Sequence, residues 1–253
     1  MKIRDKNIWV VGASSGIGSA LTEAFLETGN FVYATARHER SLSGLAKRFP
    51  QSLKMIKADI TDADDMAALR DGLRAQTDVL DYVVLCAGTC EYDDGPSLNV
   101  KMYKDVFDLN FFAQVDCIQA SLPMLRKSRG NIVGISSMAS YLPFPRAEAY
   151  GASKAAFEYF LSSLKIDLIE QHVGVTVVRP GFVDTPLTRK NDFKMPFICD
   201  SRTASKKIIG GLEAEKSEIN FPWQMVWPMM FFSRFKSIWQ NKIAINFKKP
   251  RDV

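Results

Sequence analysis

Tyr150 is followed four residues later by Lys154, in the run Tyr-Gly-Ala-Ser-Lys. Residues four apart on a helix share one face. A free phenol has a pKa of about 10, too high for easy proton exchange at neutral pH. An ammonium ~4 Å away at an effective dielectric of ~20 contributes about 4 kcal/mol, or up to roughly three pKa units before the lysine's own desolvation is subtracted. The spacing therefore predicts a phenol brought toward working pH. A second chemical feature lies near the start of the chain, at Gly12-Ala-Ser-Ser-Gly16-Ile-Gly18. Glycines at a strand-to-helix turn let backbone amides approach a pyrophosphate, and the helix N-terminus adds a positive dipole end. Ser14, Ser15 and Ile17 belong to the same loop. Arg37 stands 19 residues beyond Gly18. An acid there would take a ribose 2′-hydroxyl, whereas a 2′-phosphate needs a cation. Ala36 and Arg37 thus favour NADP(H), with Ser14 placed to bond the same phosphate.

These residues need a scaffold that brings strand ends together. Apolar runs at 7–11, 31–36, 53–58, 80–86, 130–136, 174–179 and 218–221 read as strands. Helical patterns lie near 16–28, 39–48, 62–75, 100–127, 149–172, 202–215 and 223–240. Strands alternating with helices predict right-handed βαβ units and a parallel sheet covered on both faces. The expected fold is α/β: one Rossmann-like, doubly wound parallel sheet of about seven strands. The expected division is a catalytic domain over 1–222 and an apolar, basic helical segment over 223–253.

Composition narrows the function classes. With 253 residues, 47% hydrophobic and 24% charged, the chain suits one globular α/β domain. Met1 to Lys6 is polar and the run Ile8 to Val11 is short, so no secretory signal is expected and a cytoplasmic location is inferred. Cys86, Cys90, Cys117 and Cys199 show neither a CxxC pair nor zinc spacing, which reads as reduced thiols and no metal site. The two histidines, His38 and His172, argue against a Ser-His-Asp hydrolase. The net charge of +5 resides in residues 234–253, which hold six cations against Asp252 alone. A basic tail on a neutral body does not suggest a nucleic-acid partner.

In order and spacing, these motifs resemble the short-chain dehydrogenase/reductase (SDR) family over about residues 5–222. Asp59-Ile60 is similar to the pair that contacts adenine. Cys86-Ala87-Gly88 occupies the place of the family's Asn-Asn-Ala-Gly turn. Asn110 matches the catalytic asparagine, and Ser137 lies 13 residues before Tyr150, the family's serine-to-tyrosine spacing. Pro180-Gly181 with Val183 and Thr185 matches the segment facing the nicotinamide. The resemblance implies an NADP(H)-dependent oxidoreductase acting on a carbonyl or secondary alcohol. Tyr150 would be the acid in reduction and the base in oxidation. Lys154 would depress its pKa and hold the nicotinamide ribose. Ser137 would bond the substrate oxygen, and Asn110 would keep a helix locally open and hold a water of a proton relay. Thr185 and the Val183 backbone would anchor the carboxamide. Val11 and Leu85-Cys86 depart from the family's threonine and asparagines; altered packing is the expected consequence. A silent NADP-binding regulator on the same fold is the alternative, disfavoured by the intact Asn110, Ser137, Tyr150 and Lys154. An epimerase or dehydratase of the extended branch would need a GxxGxxG loop and a longer C-terminal domain.

The substrate must be read from the loops. Tyr141, Leu142, Pro143 and Phe144 follow Ser137, and Phe193, Met195, Pro196 and Phe197 follow the Pro-Gly segment. Both sets are expected to border the carbonyl cleft, which suggests an apolar, lipid-like substrate. The helices 100–127 and 149–172 resemble those that pair subunits in this family, predicting a homodimer or homotetramer through Phe111, Phe112, Phe157 and Phe160, unless these residues fill the chain's own core. Residues 221–253 combine aromatics with cations. They read as a substrate-covering helix with a solvated tail, a subunit contact, or a peripheral contact with anionic membrane.

Overall fold

The computed structural model describes residues 2–93 and 98–247. Seven strands form one parallel sheet: β1 (Asn7–Val11), β2 (Phe31–Ala36), β3 (Leu53–Lys57), β4 (Tyr82–Leu85), β5 (Asn131–Ile135), β6 (Gly174–Pro180) and β9 (Glu218–Phe221). A separate two-residue pair joins β7 (Val183–Asp184) to β8 (Cys199–Asp200). The main order is β3-β2-β1-β4-β5-β6-β9, so the winding direction reverses between β1 and β4. Register is continuous, with Trp9 opposite both Tyr33 and Val83.

The strands alternate their side chains between two cores. Trp9 and Val11 face a layer made by α3 (Ala63–Gln76), α5 (Ala113–Ser128) and α6 (Glu148–Asp167). Ile8 and Val10 face a layer made chiefly by α1 (Gly16–Glu27) and α7 (Ser201–Glu213). Covering both faces is what makes near-continuous apolar strands stable in a parallel sheet. Local signals set the helix starts: the Asp62 carboxylate accepts from the Asp64 and Asp65 amides at 3.0 and 2.9 Å, and Asp200 accepts from Thr203 at 2.7 Å. Such caps satisfy amides that have no partner within the helix.

Three expected helices differ. The 39–48 segment is a 3-10 turn (Glu39–Leu42) followed by α2 (Ser43–Arg48). The 100–127 segment is α4 (Val100–Phe107), a π-helical turn over Asp108–Phe112, and then α5. The 223–240 segment is α8 (Trp223–Ser233), a break at 234–235, and a mixed helical stretch over 236–247. That break lets the chain fold back and bury Trp239, whose indole donates to the Pro143 carbonyl at 2.7 Å. Trp239, Val226 and Met229 form a third apolar cluster with Met138 and Leu142. Residues 248–253 of the expected C-terminal segment lie outside the described residues. Among the aromatic residues expected on outer helix faces, Phe157 is wholly in the core against Gly134, Phe111 and Phe160 pack partly buried against it, and Phe112 is exposed.

Candidate active site

The carboxyl ends of β1 to β6 and the α6 face converge on a cavity of about 430 Å³ at the point where the winding reverses. Clefts at such reversals are where open α/β sheets bind ligands. The cavity collects Gly12, Ser14, Ser15, Gly16, Ile17 and Gly18 from the first turn. Arg37 enters from β2, and Asp59 and Ile60 from β3. Cys86, Ala87 and Gly88 follow β4; Ser137 follows β5; Pro180, Gly181, Val183 and Thr185 follow β6. Tyr150 and Lys154 come from α6.

The first turn explains its own glycines. Gly12 has φ +83°, and a Cβ there would lie 2.6 Å from the Ala87 nitrogen. A Cβ on Gly18 would lie 2.2 Å from the Gly12 carbonyl oxygen. A side chain at Gly12 would strike the backbone after β4, and one at Gly18 the turn's own backbone, so both glycines are needed for these segments to pack closely. The first turn of α1 carries no acid, leaving its amide end electropositive. Burial would raise the Asp59 carboxyl, but the Thr61 hydroxyl at 2.7 Å, the Thr61 amide at 3.0 Å and nearby Arg37 outweigh it and lower its pKa.

Lys154 is 5% exposed and donates to the Ile135 carbonyl at 3.0 Å. Burial pulls its ammonium down to about 8, opposed by Cys86 and Cys90. Burial likewise pushes the Tyr150 phenol up to about 12, against a hydrogen bond with Ser137 that lowers it. The expected lysine-driven lowering of the phenol is not seen: burial, reinforced by Cys90 and only partly offset by the Ser137 hydrogen bond, raises it instead. The Ser137 hydroxyl also accepts from the Ala139 amide at 3.1 Å, so it caps its turn and meets the phenol at once. Cys86, raised to about 12 by burial, is an inert thiol.

Asn110 lies behind the cavity, in the π turn, and is fully buried. Its amide nitrogen donates to the Thr89 carbonyl and the Ser153 hydroxyl, both at 2.9 Å, and its oxygen accepts from the Thr89 amide at 2.8 Å. A Cβ on Gly88 would lie 3.0 Å from the Asn110 oxygen and 3.3 Å from the Lys154 nitrogen. Gly88 is thus the point at which asparagine and lysine come close.

Several supporting residues escaped the sequence reading. Thr188 donates to the Val183 carbonyl at 2.6 Å and accepts from the Thr185 amide at 3.0 Å, bracing the segment after β6. Arg179, 4% exposed, pairs with Glu158 and Glu218. Glu158 in turn accepts from Ser140 at 2.7 Å, and the Arg179 guanidinium lies 5.0 Å from the Tyr141 ring centre. This network ties α6 and β6 to the turn after Ser137. Glu158, eight residues after Tyr150 on the same helix, was its one legible sign. Tyr92 stands close enough to Tyr150 for that phenol to help raise its own, after burial and Cys90.

The expected cleft border is corrected in both parts. Phe193, Met195, Pro196 and Phe197 do not line the smaller cavity, and Phe193 and Phe197 are exposed. Tyr141, Leu142, Pro143 and Phe144 line a different, larger cavity of about 1050 Å³ between the α6 N-terminus and the C-terminal stretch. Leu142 and Phe144 are drawn there by the third apolar cluster. The larger space contains none of Ser137, Tyr150 and Lys154, which line the smaller cavity.

A phosphate-type glycine turn beside a tyrosine–lysine helix places the molecule among nucleotide-binding α/β oxidoreductases. A family model for short chain dehydrogenases matches residues 6–195. The chain belongs to the short-chain dehydrogenase family. It is 33% identical over 223 residues to an uncharacterized oxidoreductase of Myxococcus xanthus, covering 87% of this chain and 88% of that one. It is 34% identical over 194 residues to a benzil reductase ((S)-benzoin forming) of Saccharomyces cerevisiae, covering 73% and 74%. It is 33% identical over 192 residues to 11-beta-hydroxysteroid dehydrogenase A of Sesamum indicum, covering 74% of this chain and 55% of that one. In fold, it matches a short-chain dehydrogenase from Burkholderia cenocepacia in complex with NADP, with TM-score 0.82 and 22% identity over 99% of this chain and 100% of that one.

Proposed function

We propose that this protein is an NADP(H)-dependent oxidoreductase that interconverts a carbonyl and a secondary alcohol on an apolar substrate. The observation that carries the reading is the convergence of Ser137, Tyr150, Lys154 and the glycine turn on one cavity. The glycine turn and the acid-free start of α1, both on the cavity, fit a dinucleotide pyrophosphate, held by the turn's amides and by Ser14, Ser15 and Ile17. Arg37, exposed at the β2 end, supplies the cation a 2′-phosphate needs, and Asp59 and Ile60 flank the adenine side. Cys86, Ala87 and Gly88 form the wall between the two ends, and Pro180, Gly181, Val183 and Thr185 hold the nicotinamide side.

The cofactor, when bound, supplies the hydride. Tyr150 Oη gives a proton to the carbonyl oxygen in reduction and takes it back in oxidation. Ser137 Oγ donates to that oxygen, where negative charge develops. Lys154 favours the phenolate through its charge and holds the ribose hydroxyls. Asn110 is a positioning residue, keeping the π turn and the Gly88 segment against Lys154.

An apolar substrate is supported by a row of rings that begins at Tyr92, near Tyr150, and runs edge-on through Phe193 to Phe182 at 6.1 and 5.9 Å. Two relatives are also named for apolar molecules, benzil and a hydroxysteroid. A homodimer or homotetramer would cover exposed Phe112, Tyr159 and Ile166 on the long helices. Four unpaired cysteines suit a cytoplasmic setting.

A panel of aryl, steroid and sugar carbonyls, assayed for NADPH and NADH oxidation, tests the reading. Apolar ketones with NADPH are expected to react fastest; a preference for sugars or for NADH would refute it. Arg37→Ala should lower kcat/KM for NADPH roughly tenfold to a hundredfold, the value of a charge-assisted hydrogen bond, and leave NADH little changed.

A further inference from the structure

We propose that the outward face of α8 docks on an anionic lipid surface. The helix turns Val226 and Met229 into the third apolar cluster. On its other side, Trp223, Trp227 and Phe231 are 68%, 70% and 58% exposed. They stand at i, i+4 and i+8, which is one stripe of a helix. Phe235 extends the stripe, its ring centre 5.2 Å from that of Phe231, and Ile238 is exposed just beyond. A helix facing water keeps polar residues on this side. A contiguous aromatic stripe marks an interaction surface.

Charge selects the occupant. From Ile219 to Arg251 the sequence has no Asp or Glu and six cations: Arg234, Lys236, Lys242, Lys248, Lys249 and Arg251. Arg234, at the break, and Lys236 and Lys242, in the helical stretch beyond it, are exposed, Lys236 also at the rim of the larger cavity. A two-fold contact with a second copy would set these cations against themselves, because an isologous interface repeats the same patch. Anionic headgroups neutralise them instead, while Trp and Phe enter the headgroup boundary. Among the described residues no helix is long and apolar enough to cross a membrane. The helix therefore lies in the plane of the surface. Its inner side meets the catalytic wall, since a Cβ on Gly181 would lie 2.8 Å from the Met225 sulfur. The inference stands on this surface alone and does not depend on the substrate class.

The test uses the full chain with vesicles of phosphatidylcholine, alone or mixed with phosphatidylserine. Co-sedimentation with the mixed vesicles is expected, weakened by salt and weak on phosphatidylcholine alone. Arg234→Ser and Lys236→Ser should each reduce the partition coefficient roughly fivefold. Trp9 and Trp239 are buried, so a blue shift of tryptophan emission on binding reports Trp223 and Trp227. The double variant Trp223→Ser, Trp227→Ser should lose co-sedimentation with the mixed vesicles while keeping the wild-type unfolding transition. Equal partition onto both vesicle types, or none, would overturn the proposal. So would concentration-dependent self-association that disappears with the same two substitutions in the absence of any vesicle binding, since that would assign the stripe to a second copy.

Discussion

At the scale of single residues, the site is governed by what burial does to two ionisable groups. Tyr150 at about 12 keeps its proton through neutral pH, as an acid for reduction must. Lys154 at about 8 keeps its charge only below that value. Carbonyl reduction should therefore hold steady from pH 6 to 7 and decline as pH rises through about 8. Initial rates against pH at saturating cofactor would show the decline. Stability follows from the same shift. The folded lysine has a pKa below the ordinary 10.5, so the unfolded chain binds more protons between about 8 and 10.5 and stability rises with pH across that window. The buried thiols, Cys86 among them, and Tyr150 are raised above their ordinary 9.0 and 10.0 and act in the opposite sense only from about pH 9 upward. The urea midpoint should thus rise from pH 8 to pH 9 in the wild type. In Lys154→Met that increment should be missing. The pair's spacing was legible in the sequence, but the sign of the phenol's shift was not. A pairwise Coulomb estimate takes in the attraction and leaves out the burial, which depends on Ile135, Ser137 and Cys90 arriving from distant parts of the chain.

At the scale of elements, the strands and the first glycine turn were readable because their signals are local. Apolar runs bounded by polar residues located all seven sheet strands, and Gly12 and Gly18 marked the turn. Gly18→Ala places a methyl 2.2 Å from the Gly12 carbonyl oxygen, a backbone atom that cannot rotate away. Cofactor affinity by fluorescence titration should fall at least roughly tenfold, since misplaced amides lose charge-assisted bonds. The helices were less legible where long-range packing decides them. The π turn at Asp108–Phe112 depends on Asn110 reaching Thr89 and Ser153, and the break after Ser233 depends on Trp239 reaching Pro143. Neither contact leaves a periodic trace. Trp239→Ala should cost the C-terminal stretch about 3–5 kcal/mol of local stability. Amide exchange over 223–247 should accelerate while β1 to β6 stay protected.

At the scale of the whole molecule, a doubly wound sheet gathers strand ends that lie far apart in sequence into one cavity. That is why the motifs were individually ambiguous and jointly informative. Order along the chain carried the family and fold, and the family model over residues 6–195 agrees with it. The substrate border was harder to read. A loop's apolar residues do not say which cavity they face, and Leu142 and Phe144 turn toward Trp239 rather than Tyr150. The central claim is that Tyr150 is the proton donor of an NADP(H)-linked carbonyl reduction. Its most direct test is NADPH oxidation with an apolar ketone, by wild type and Tyr150→Phe, alongside NADPH binding by fluorescence. kcat should fall roughly 10²–10⁴-fold, the usual value of general acid catalysis, with NADPH affinity changed by less than about threefold. Turnover retained within about tenfold of wild type, in a variant that binds NADPH normally, would contradict it.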